Sequence, residues 1–223
     1  MRIVFLDGGT LDFGGVSFER IEKLGTFVKF KQTSKSQLAA RLRNAEVVIS
    51  NKFVMDESAF KLAPNLKLIC VAATGYNNIE IETARKRGVA VCNVAGYSTE
   101  SVVQWTIAFI LSIAGRLPEY VSRSKKEWPK SPSFVWPGYP ITEIAGKTLG
   151  IIGYGTIGKR VAAVAKSLGM KVLVARIPGR KYSGKFPARI PLDSMLKQSD
   201  FVSLHAPLSV QTDRIMNAAR IRL

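Results

Sequence analysis

Three glycines at a fixed spacing give the clearest chemical signal in the sequence. They lie in Gly153-Tyr154-Gly155-Thr156-Ile157-Gly158, which follows the apolar run TLGII and precedes an amphipathic segment. Gly153 would permit a tight turn, Gly155 would let the backbone approach a pyrophosphate, and Gly158 would let a helix pack closely on the strand. The first N–H groups and the dipole of that helix would face the anion. The motif predicts a dinucleotide-binding βαβ unit, and a glycine-rich turn without a ligand is the alternative.

The type of residue at the end of the next predicted strand indicates whether NAD or NADP is the preferred dinucleotide. An acid about 20 residues past the glycines usually binds the adenosine ribose hydroxyls, whereas an arginine accommodates a 2′-phosphate. Here the position holds Arg176, with Arg180 and Lys181 close behind. A guanidinium can bind a phosphate through two hydrogen bonds, whereas a carboxylate would repel it. Arg176 therefore favours NADP(H) over NAD, and a solvated basic loop is the alternative.

Strand and helix signals alternate from the first residue, and this alternation indicates parallel βαβ units. Asp56 is predicted to cap a helix and Gly88 to end one. The predicted strands of the first block are residues 2–6, 26–30, 46–50, 66–72 and 89–93, and the helices are 18–24, 36–44, 56–62 and 79–87.

The middle of the chain is predicted to connect two domains. Residues 98–116 form a long apolar-periodic helix, and its start, Ser98-Thr99-Glu100-Ser101, has the pattern of a capping box. Residues 117–146 are rich in proline, serine and aromatic residues and are predicted to be an irregular loop that is functional or an interface arm. A second alternating block follows, with strands at 147–153, 171–175 and 200–205, helices at 157–168 and 191–198, and a helix start near Thr212.

Composition narrows the class of protein. The 223 residues are 47% hydrophobic and 22% charged, which suits one large domain or two modest ones rather than a disordered chain. The first ten residues are not those of a signal peptide, and every apolar stretch is far shorter than the ~20 residues of a membrane helix. We therefore expect a soluble, cytoplasmic protein. Cys70 and Cys92 with a single histidine are too few ligands to predict a metal site.

The net charge of +17 is unusual, and basic residues are densest at 116–130 and 176–189. Such a charge can attract nucleic acid, but no RNA-binding motif or helix-turn-helix pattern accompanies it. A phosphate-bearing cofactor, acidic substrates or a basic bias throughout the organism are the preferred explanations. We therefore expect no specific nucleic-acid partner.

Three stretches together resemble the D-isomer-specific 2-hydroxyacid dehydrogenases. They are VAATGYNNIEIETARKRGVAVCNVAGYSTESVVQ at 71–104, GKTLGIIGYGTIGKRVAAVAKSLGMKV at 146–172 and SDFVSLHAPLSVQTDRIMN at 199–217. The run Tyr97-Ser98-Thr99-Glu100-Ser101 is most similar to the branch of glycerate dehydrogenases and hydroxypyruvate or glyoxylate reductases. The resemblance implies an α/β fold, with a flavodoxin-like substrate domain at 1–98 and an incomplete Rossmann dinucleotide-binding domain at 99–223. The active site would lie in the cleft between them.

The resemblance also implies roles for particular residues. Thr74 and Gly75 would bind a small 2-hydroxy or 2-keto acid, because a glycine-containing turn suits a substrate carboxylate; an ordinary polar turn is the alternative. Residues 117–146 correspond to the arm through which these proteins form homodimers. The residues implied to bind NADP(H) or NAD are Thr74, Gly153, Gly155, Thr156, Ile157, Gly158, Arg176, His205, Ala206, Pro207 and Thr212.

The chain departs from the family pattern in its catalytic groups. The family's catalytic arginine, glutamate and histidine lie beyond the position that matches Asn217. From Asn217 this chain continues only as NAARIRL. This ending resembles that of a truncated or frame-shifted product. His205 is the only histidine, and its place in SLHAP predicts a structural or cofactor-lining role rather than acid–base catalysis. We expect no catalytic residue among the 223, negligible turnover, and exposed apolar surface on the incomplete sheet. The alternative is a non-catalytic NADP(H)-binding or corepressor-like module.

Overall fold

The chain folds into two compact units, Met1–Tyr97 and Ser98–Leu223, in a computed structural model that describes residues 1–184 and 187–223. Each unit has its own sheet and its own buried core, so each is described by itself. The assignment of the substrate to the first unit and of the cofactor to the second stays a prediction.

A five-stranded parallel sheet forms the first unit, in the order β2-β1-β3-β4-β5. This is the flavodoxin-like order, so the predicted fold of this unit is confirmed. The strands are β1 (Arg2–Phe5), β2 (Thr26–Lys29), β3 (Val47–Ser50), β4 (Leu68–Val71) and β5 (Ala90–Asn93), and the helices are α1 (Glu19–Glu22), α2 (Lys35–Leu42), α3 (Glu57–Lys61) and α4 (Ile81–Lys86).

Two local signals in this unit act as predicted. The Asp56 carboxylate accepts a hydrogen bond from the Ala59 N–H at 2.9 Å and so caps α3. Gly88 follows α4 with a φ of +66°, the left-handed conformation that commonly ends a helix. The central strands supply a core in which Val4, Val48 and Ile69 are fully buried, as parallel strands covered on both faces require.

A buried charge holds together the carboxyl ends of β1 and β3. Asp7 is only 5% exposed. Its carboxylate accepts hydrogen bonds from the backbone N–H groups of Asn51 and Phe53 at 2.9 Å each, and from that of Lys52 at 2.5 Å. The charge is thereby compensated by amide dipoles, and the loop after β3 is fixed to the end of β1.

The second unit has a four-stranded parallel sheet in the order β8-β7-β6-β9. The glycine motif lies between β6 and α7, so the predicted βαβ unit is confirmed. Val202 and Leu204 of the edge strand β9 are exposed, in line with the predicted apolar surface on this sheet. The strands are β6 (Thr148–Ile152), β7 (Lys171–Arg176), β8 (Ile190–Pro191) and β9 (Phe201–Leu204), and the helices are α5 (Thr99–Ala114), α6 (Leu117–Glu127), α7 (Thr156–Ser167), α8 (Leu192–Lys197) and α9 (Ala218–Ile221).

The central strand β6 is covered on both faces. Leu149 and Ile151 pack in a cluster with residues of α5 and α7, and Ile152 packs in a second cluster with residues of α8. Gly150 lies under Met195, where a Cβ would approach the sulfur to 2.0 Å. The residues of β6 after Thr148 are therefore all apolar, because both faces of the strand are buried there.

The prediction that residues 117–146 are irregular throughout is wrong. The segment begins with α6 and a short 3-10 helix, Trp128–Lys130. Pro118 lies in the first turn of α6, where a proline costs no hydrogen bond, and an Arg123–Glu127 ion pair spans one turn. Over the residues that the structure describes, no single helix has the length and apolar character to cross a membrane; the bent pair Thr99–Ala114 and Leu117–Lys130 meets that test by length and composition only.

Two further local predictions are wrong. The Ser98 side chain makes no capping hydrogen bond at the start of α5, and Glu100 pairs instead with Arg160 of α7 at 3.2 Å. No helix begins near Thr212; the short helix α9 begins at Ala218, and the side chain of Asn217 caps it. Glu100 is thus used in a contact with another helix, and the Thr212 hydroxyl is used in a local turn.

Replacement of Asp7 by alanine should strongly destabilise the first unit. The change leaves three backbone N–H groups of the β3 loop without their acceptor, at a cost of about 3 kcal/mol or more. Urea unfolding monitored by circular dichroism would measure the loss. The control is Glu57→Ala, since Glu57 pairs with Lys61 at the surface and should change the urea midpoint little. Equal midpoints for the two variants would contradict this account of Asp7.

Candidate functional site

The turn after β6 accepts no side chain at its first glycine. Gly153 has a φ of +96°, a conformation that residues with a Cβ rarely adopt. A Cβ at Gly153 would also lie 2.6 Å from the Ala206 nitrogen and 2.6 Å from the His205 carbonyl oxygen. The turn thus packs directly against the backbone that follows β9.

The other two glycines of the motif act differently from each other. A Cβ at Gly158 would lie 2.1 Å from the Gly153 carbonyl oxygen, so the first turn of α7 rests on the turn before it. A Cβ at Gly155 would have no neighbour within 4 Å, and no side chain caps α7 there. The first N–H groups of α7, at Thr156 and Ile157, therefore begin beside open space, which is the geometry that an anion requires.

A cavity of about 160 Å³, called the inner cavity below, lies against this turn. Four residues predicted to bind the cofactor line it, namely Gly153, Gly155, His205 and Pro207. The remaining lining residues are Tyr154, Ala175, Ile177, Arg180, Tyr182 and Arg189. Because its walls include glycine backbone and two guanidinium groups and contain no carboxylate among the described residues, the inner cavity suits a phosphorylated ligand.

His205 is held by a hydroxyl group in the wall of the inner cavity. Its Nε2 lies 2.8 Å from the Ser203 Oγ. Partial burial lowers the pKa of the imidazole from its ordinary value of 6.5, because a less hydrated site disfavours the charged form. The side chain is therefore neutral at pH 7, and its recorded partner is a serine rather than a carboxylate.

Thr212 shapes the loop that follows β9. It is 8% exposed, and its hydroxyl donates to the Pro207 carbonyl at 2.6 Å and accepts from the Ser209 N–H at 2.8 Å. The hydroxyl is thus used within its own loop, where it fixes the position of Pro207. Direct contact between Thr212 and a cofactor stays a prediction.

A second cavity of about 540 Å³, called the outer cavity below, lies beyond the end of β7. Three of its lining residues are arginines: Arg176, Arg180 and Arg189. The guanidinium groups of Arg189 and Arg180 lie over the Tyr182 ring, at 4.3 Å and 5.7 Å from its centroid. The Tyr182 hydroxyl accepts a hydrogen bond from the Ile177 N–H at 2.9 Å, which ties the ring to the strand end.

Tyr182 and Arg189 were not singled out from the sequence. The only available signal was the high density of basic residues at 176–189. Arg189 joins the site because β8 pairs with β7, with Ile190 opposite Ala175. This two-residue strand is too short to be recognised from a period-2 pattern.

Thr74 and Gly75 belong to the first unit, in the loop that follows β4. The Thr74 hydroxyl donates to the Val94 carbonyl at 2.9 Å, and the Asn93 side chain donates to the Thr74 carbonyl at 2.7 Å. A Cβ at Gly75 would meet nothing within 4 Å. The loop is therefore pinned to the end of β5, while open space remains beside Gly75.

Metal ligands do not gather in either unit. Within residues 1–184 and 187–223, no group of three His, Cys, Asp or Glu side chains could hold a metal ion. Cys70 and Cys92 lie opposite each other on β4 and β5, and burial raises the pKa of the Cys70 thiol above its ordinary value. That shift disfavours the thiolate form that would bind a metal.

We predict a pH dependence of stability that originates at His205. Because burial lowers the folded-state pKa, the unfolded chain takes up the proton first as the pH falls. The melting temperature of the wild type should decrease from about pH 7 to about pH 5.5, whereas His205→Gln should lack this component of the decrease. Thermal melts at matched ionic strength test this prediction. Parallel curves for the two proteins would contradict it.

Comparison with known proteins bears directly on this arrangement. Residues 107–223 match a family described as D-isomer specific 2-hydroxyacid dehydrogenase, NAD binding domain. That range contains the glycine turn, both cavities and His205. The part of the chain that matches this NAD-binding domain therefore lies wholly within the second unit.

Individual relatives are similar over nearly the whole chain. A hydroxypyruvate reductase of Blautia hydrogenotrophica is 36% identical over 99% of this chain and 70% of its own length. A glycerate dehydrogenase of Methylorubrum extorquens is 33% identical over 99% of this chain and 68% of its own length. The solved D-lactate dehydrogenase of Aquifex aeolicus, complexed with NAD and lactic acid, has a TM-score of 0.80 and 28% identity over 99% of this chain and 65% of that one. The resemblance found in the sequence is confirmed, and the chain belongs to the D-isomer-specific 2-hydroxyacid dehydrogenase family.

Proposed function

We propose that this chain binds NADP(H) and a small 2-keto or 2-hydroxy acid of the hydroxypyruvate or glyoxylate class, as a reductase of this family does. The relatives named hydroxypyruvate reductase and glycerate dehydrogenase support this substrate class, because glycerate is the reduced form of hydroxypyruvate. The observation that carries the proposal is the glycine turn with the inner cavity against it.

The proposed cofactor site uses backbone groups for the pyrophosphate and an arginine for the ribose phosphate. The turn at Gly153 and Gly155, with the first N–H groups of α7 at Thr156, Ile157 and Gly158, would hold the pyrophosphate. Arg176, exposed at the end of β7 and lining the outer cavity, would bind the 2′-phosphate that distinguishes NADP(H) from NAD. The bound nicotinamide supplies or accepts the hydride.

His205, Ala206, Pro207 and Thr212 would form the wall of the cofactor site after β9. His205 and Pro207 line the inner cavity, while the Ala206 backbone touches the glycine turn. Since the Thr212 hydroxyl fixes the Pro207 carbonyl, Thr212 would act mainly by holding this wall in place.

The proposed substrate site in the first unit is the loop at Thr74 and Gly75. The Thr74 hydroxyl is already donated to Val94, so the backbone amides are the groups available for a carboxylate. Among the described residues, the Gly75 N–H has no recorded acceptor, and the space beside it is open. A free amide at a glycine suits close approach of an anion.

No acid–base group is assigned among the residues placed in the two proposed sites. Hydride transfer to a keto acid needs a proton donor whose pKa lies near neutral pH. The single histidine has a lowered pKa, and its recorded partner is the Ser203 hydroxyl. This observation favours a second candidate function, in which the chain is a non-catalytic NADP(H)-binding or corepressor-like module.

Cofactor titration tests the proposed function. NADPH should bind the 223-residue chain more tightly than NADH, as measured by the rise in nicotinamide fluorescence. Arg176→Asp should remove most of this preference, because it replaces an attractive charge with a repulsive one. Lys166→Asp makes the same charge change on an exposed position of α7 and should keep the preference. Oxidation of NADPH with hydroxypyruvate or glyoxylate should be negligible for this chain.

Three outcomes would contradict parts of this proposal. Failure of the wild type to bind either cofactor would remove the cofactor site. An unchanged preference in Arg176→Asp would remove its proposed role in the 2′-phosphate site. Robust turnover by the 223 residues would show that an acid–base group is present and would exclude the non-catalytic alternative.

We further propose that a second copy of the chain covers an apolar stripe on α5. Trp105, Phe109 and Ile113 follow at intervals of four residues and are 60%, 61% and 68% exposed, and the first two rings lie 5.8 Å apart. Residues 117–146, which correspond to the dimer arm of the family, begin directly after this helix. Contiguous exposed apolar side chains of this kind mark protein interfaces.

The oligomeric state in solution tests whether a second copy of the chain covers this stripe. Light scattering after gel filtration should give twice the 24.5 kDa mass of one chain. The double variant Trp105→Glu with Phe109→Glu should be monomeric, because it places charges in the centre of the buried patch. Val210→Glu, at an exposed apolar position of the loop after β9, is the control and should stay dimeric. A monomeric wild type would exclude the dimer.

A further inference from the structure

The three arginines of the outer cavity lack a compensating negative charge. Among the described residues, no aspartate or glutamate lines the outer cavity, and none of Arg176, Arg180 and Arg189 forms an ion pair. Like charges that converge on one cavity repel each other unless an anion lies between them. The arrangement therefore fits a ligand group with more than one negative charge, such as a phosphate monoester.

Arg189 differs from the other two arginines in how it is held. Arg176 and Arg180 are exposed, whereas Arg189 is half-buried. Its Nη1 donates to the Pro187 carbonyl at 3.2 Å, and its guanidinium lies 4.3 Å from the Tyr182 ring centroid. A guanidinium has five N–H donors, so a pre-positioned Arg189 keeps donors for a phosphate while losing little side-chain entropy on binding.

Tyr182 is the residue that fixes this position. Its hydroxyl accepts from the Ile177 N–H at 2.9 Å, directly after β7, and its ring packs against the Arg189 guanidinium. Attraction between a guanidinium and an aromatic face adds to the contact. The strand end therefore holds Tyr182, and Tyr182 holds Arg189.

The position of Arg189 between the two cavities points to a particular part of the cofactor. Arg180, Tyr182 and Arg189 line both cavities, whereas Gly153 lines the inner one and Arg176 the outer one. In a dinucleotide the adenosine ribose lies between the pyrophosphate and the 2′-phosphate. Residues shared by the two cavities are therefore placed to contact the ribose and the phosphate on it.

We propose that Arg189 is a specificity-determining residue for the 2′-phosphate of NADP(H) and that Tyr182 is its positioning residue. This inference rests on the proposed function, since it requires that the chain bind a nicotinamide dinucleotide. The 2′-phosphate site would then contain two arginines, the exposed Arg176 and the half-buried Arg189 beside β8. A contact of Arg189 with the pyrophosphate is the competing assignment, because Arg189 also lines the inner cavity.

Arg189→Gln separates these two assignments. Loss of a charged hydrogen-bond donor to the 2′-phosphate should raise the dissociation constant of NADPH about tenfold or more, while that of NADH stays close to the wild-type value. Arg189→Lys should show a smaller loss, because the charge remains but the planar fork is lost. Arg222→Gln removes the same charge from an exposed position and should leave both constants unchanged. Isothermal titration of each variant with each cofactor gives the comparison.

Variants of Tyr182 test the positioning role. Tyr182→Phe keeps the ring beneath the guanidinium, whereas Tyr182→Leu removes it. The leucine variant should weaken NADPH binding by about threefold to thirtyfold without changing NADH binding, and the phenylalanine variant should lie between it and the wild type. A merely structural role would weaken both cofactors together, and thermal melts would show whether each variant remains folded.

The outcomes decide the proposal. Equal weakening of NADPH and NADH in Arg189→Gln assigns Arg189 to the pyrophosphate and overturns the inference. Unchanged binding of both cofactors also overturns it, while the proposed function stands. A wild type that binds neither cofactor removes the proposed function itself, and the inference with it.

Discussion

Close packing at two glycines is the constraint on which the second unit depends. Gly158 lies where a Cβ would be 2.1 Å from the Gly153 carbonyl, and Gly153 lies where a Cβ would be 2.6 Å from the Ala206 nitrogen. The end of β6, the start of α7 and the segment after β9 therefore meet through their backbones alone. Because no side chain fills this junction, amide groups of the turn line the inner cavity, and an anion can reach them.

The candidate ligand-binding groups of both units lie at the carboxyl edge of each sheet. In parallel sheets all strands end on one side, so the loops that follow them converge. In the first unit, Asp7 fixes the loop after β3 through three amides, and the Thr74 loop is pinned to the end of β5. In the second unit, the loops after β6, β7 and β9 line the inner cavity. The buried strands thus act as a rigid base, and the polar groups that could contact ligands lie in the loops.

The excess of basic residues in the sequence is related to the three arginines of the outer cavity. Part of the net charge of +17 is concentrated at the outer cavity. Three guanidinium groups line this cavity without an ion-pair partner among the described residues. Two of them also contact the Tyr182 ring, which orders them at the cost of side-chain entropy before any ligand arrives. Such order is useful for recognising a doubly charged phosphate. A general affinity for polyanions would not require it.

The sequence by itself determined most strands and helices of the two sheets and the glycine turn, because local periodicity and the spacing of glycines depend only on neighbouring residues. It also indicated the family and the Asp56 cap. It could not place Tyr182 and Arg189 beside Arg176, since that depends on the pairing of β8 with β7. Nor could it show that Glu100 would pair with Arg160 of α7. These contacts were decided only by the tertiary structure, because a side chain with several polar partners within reach takes the one that packing brings closest.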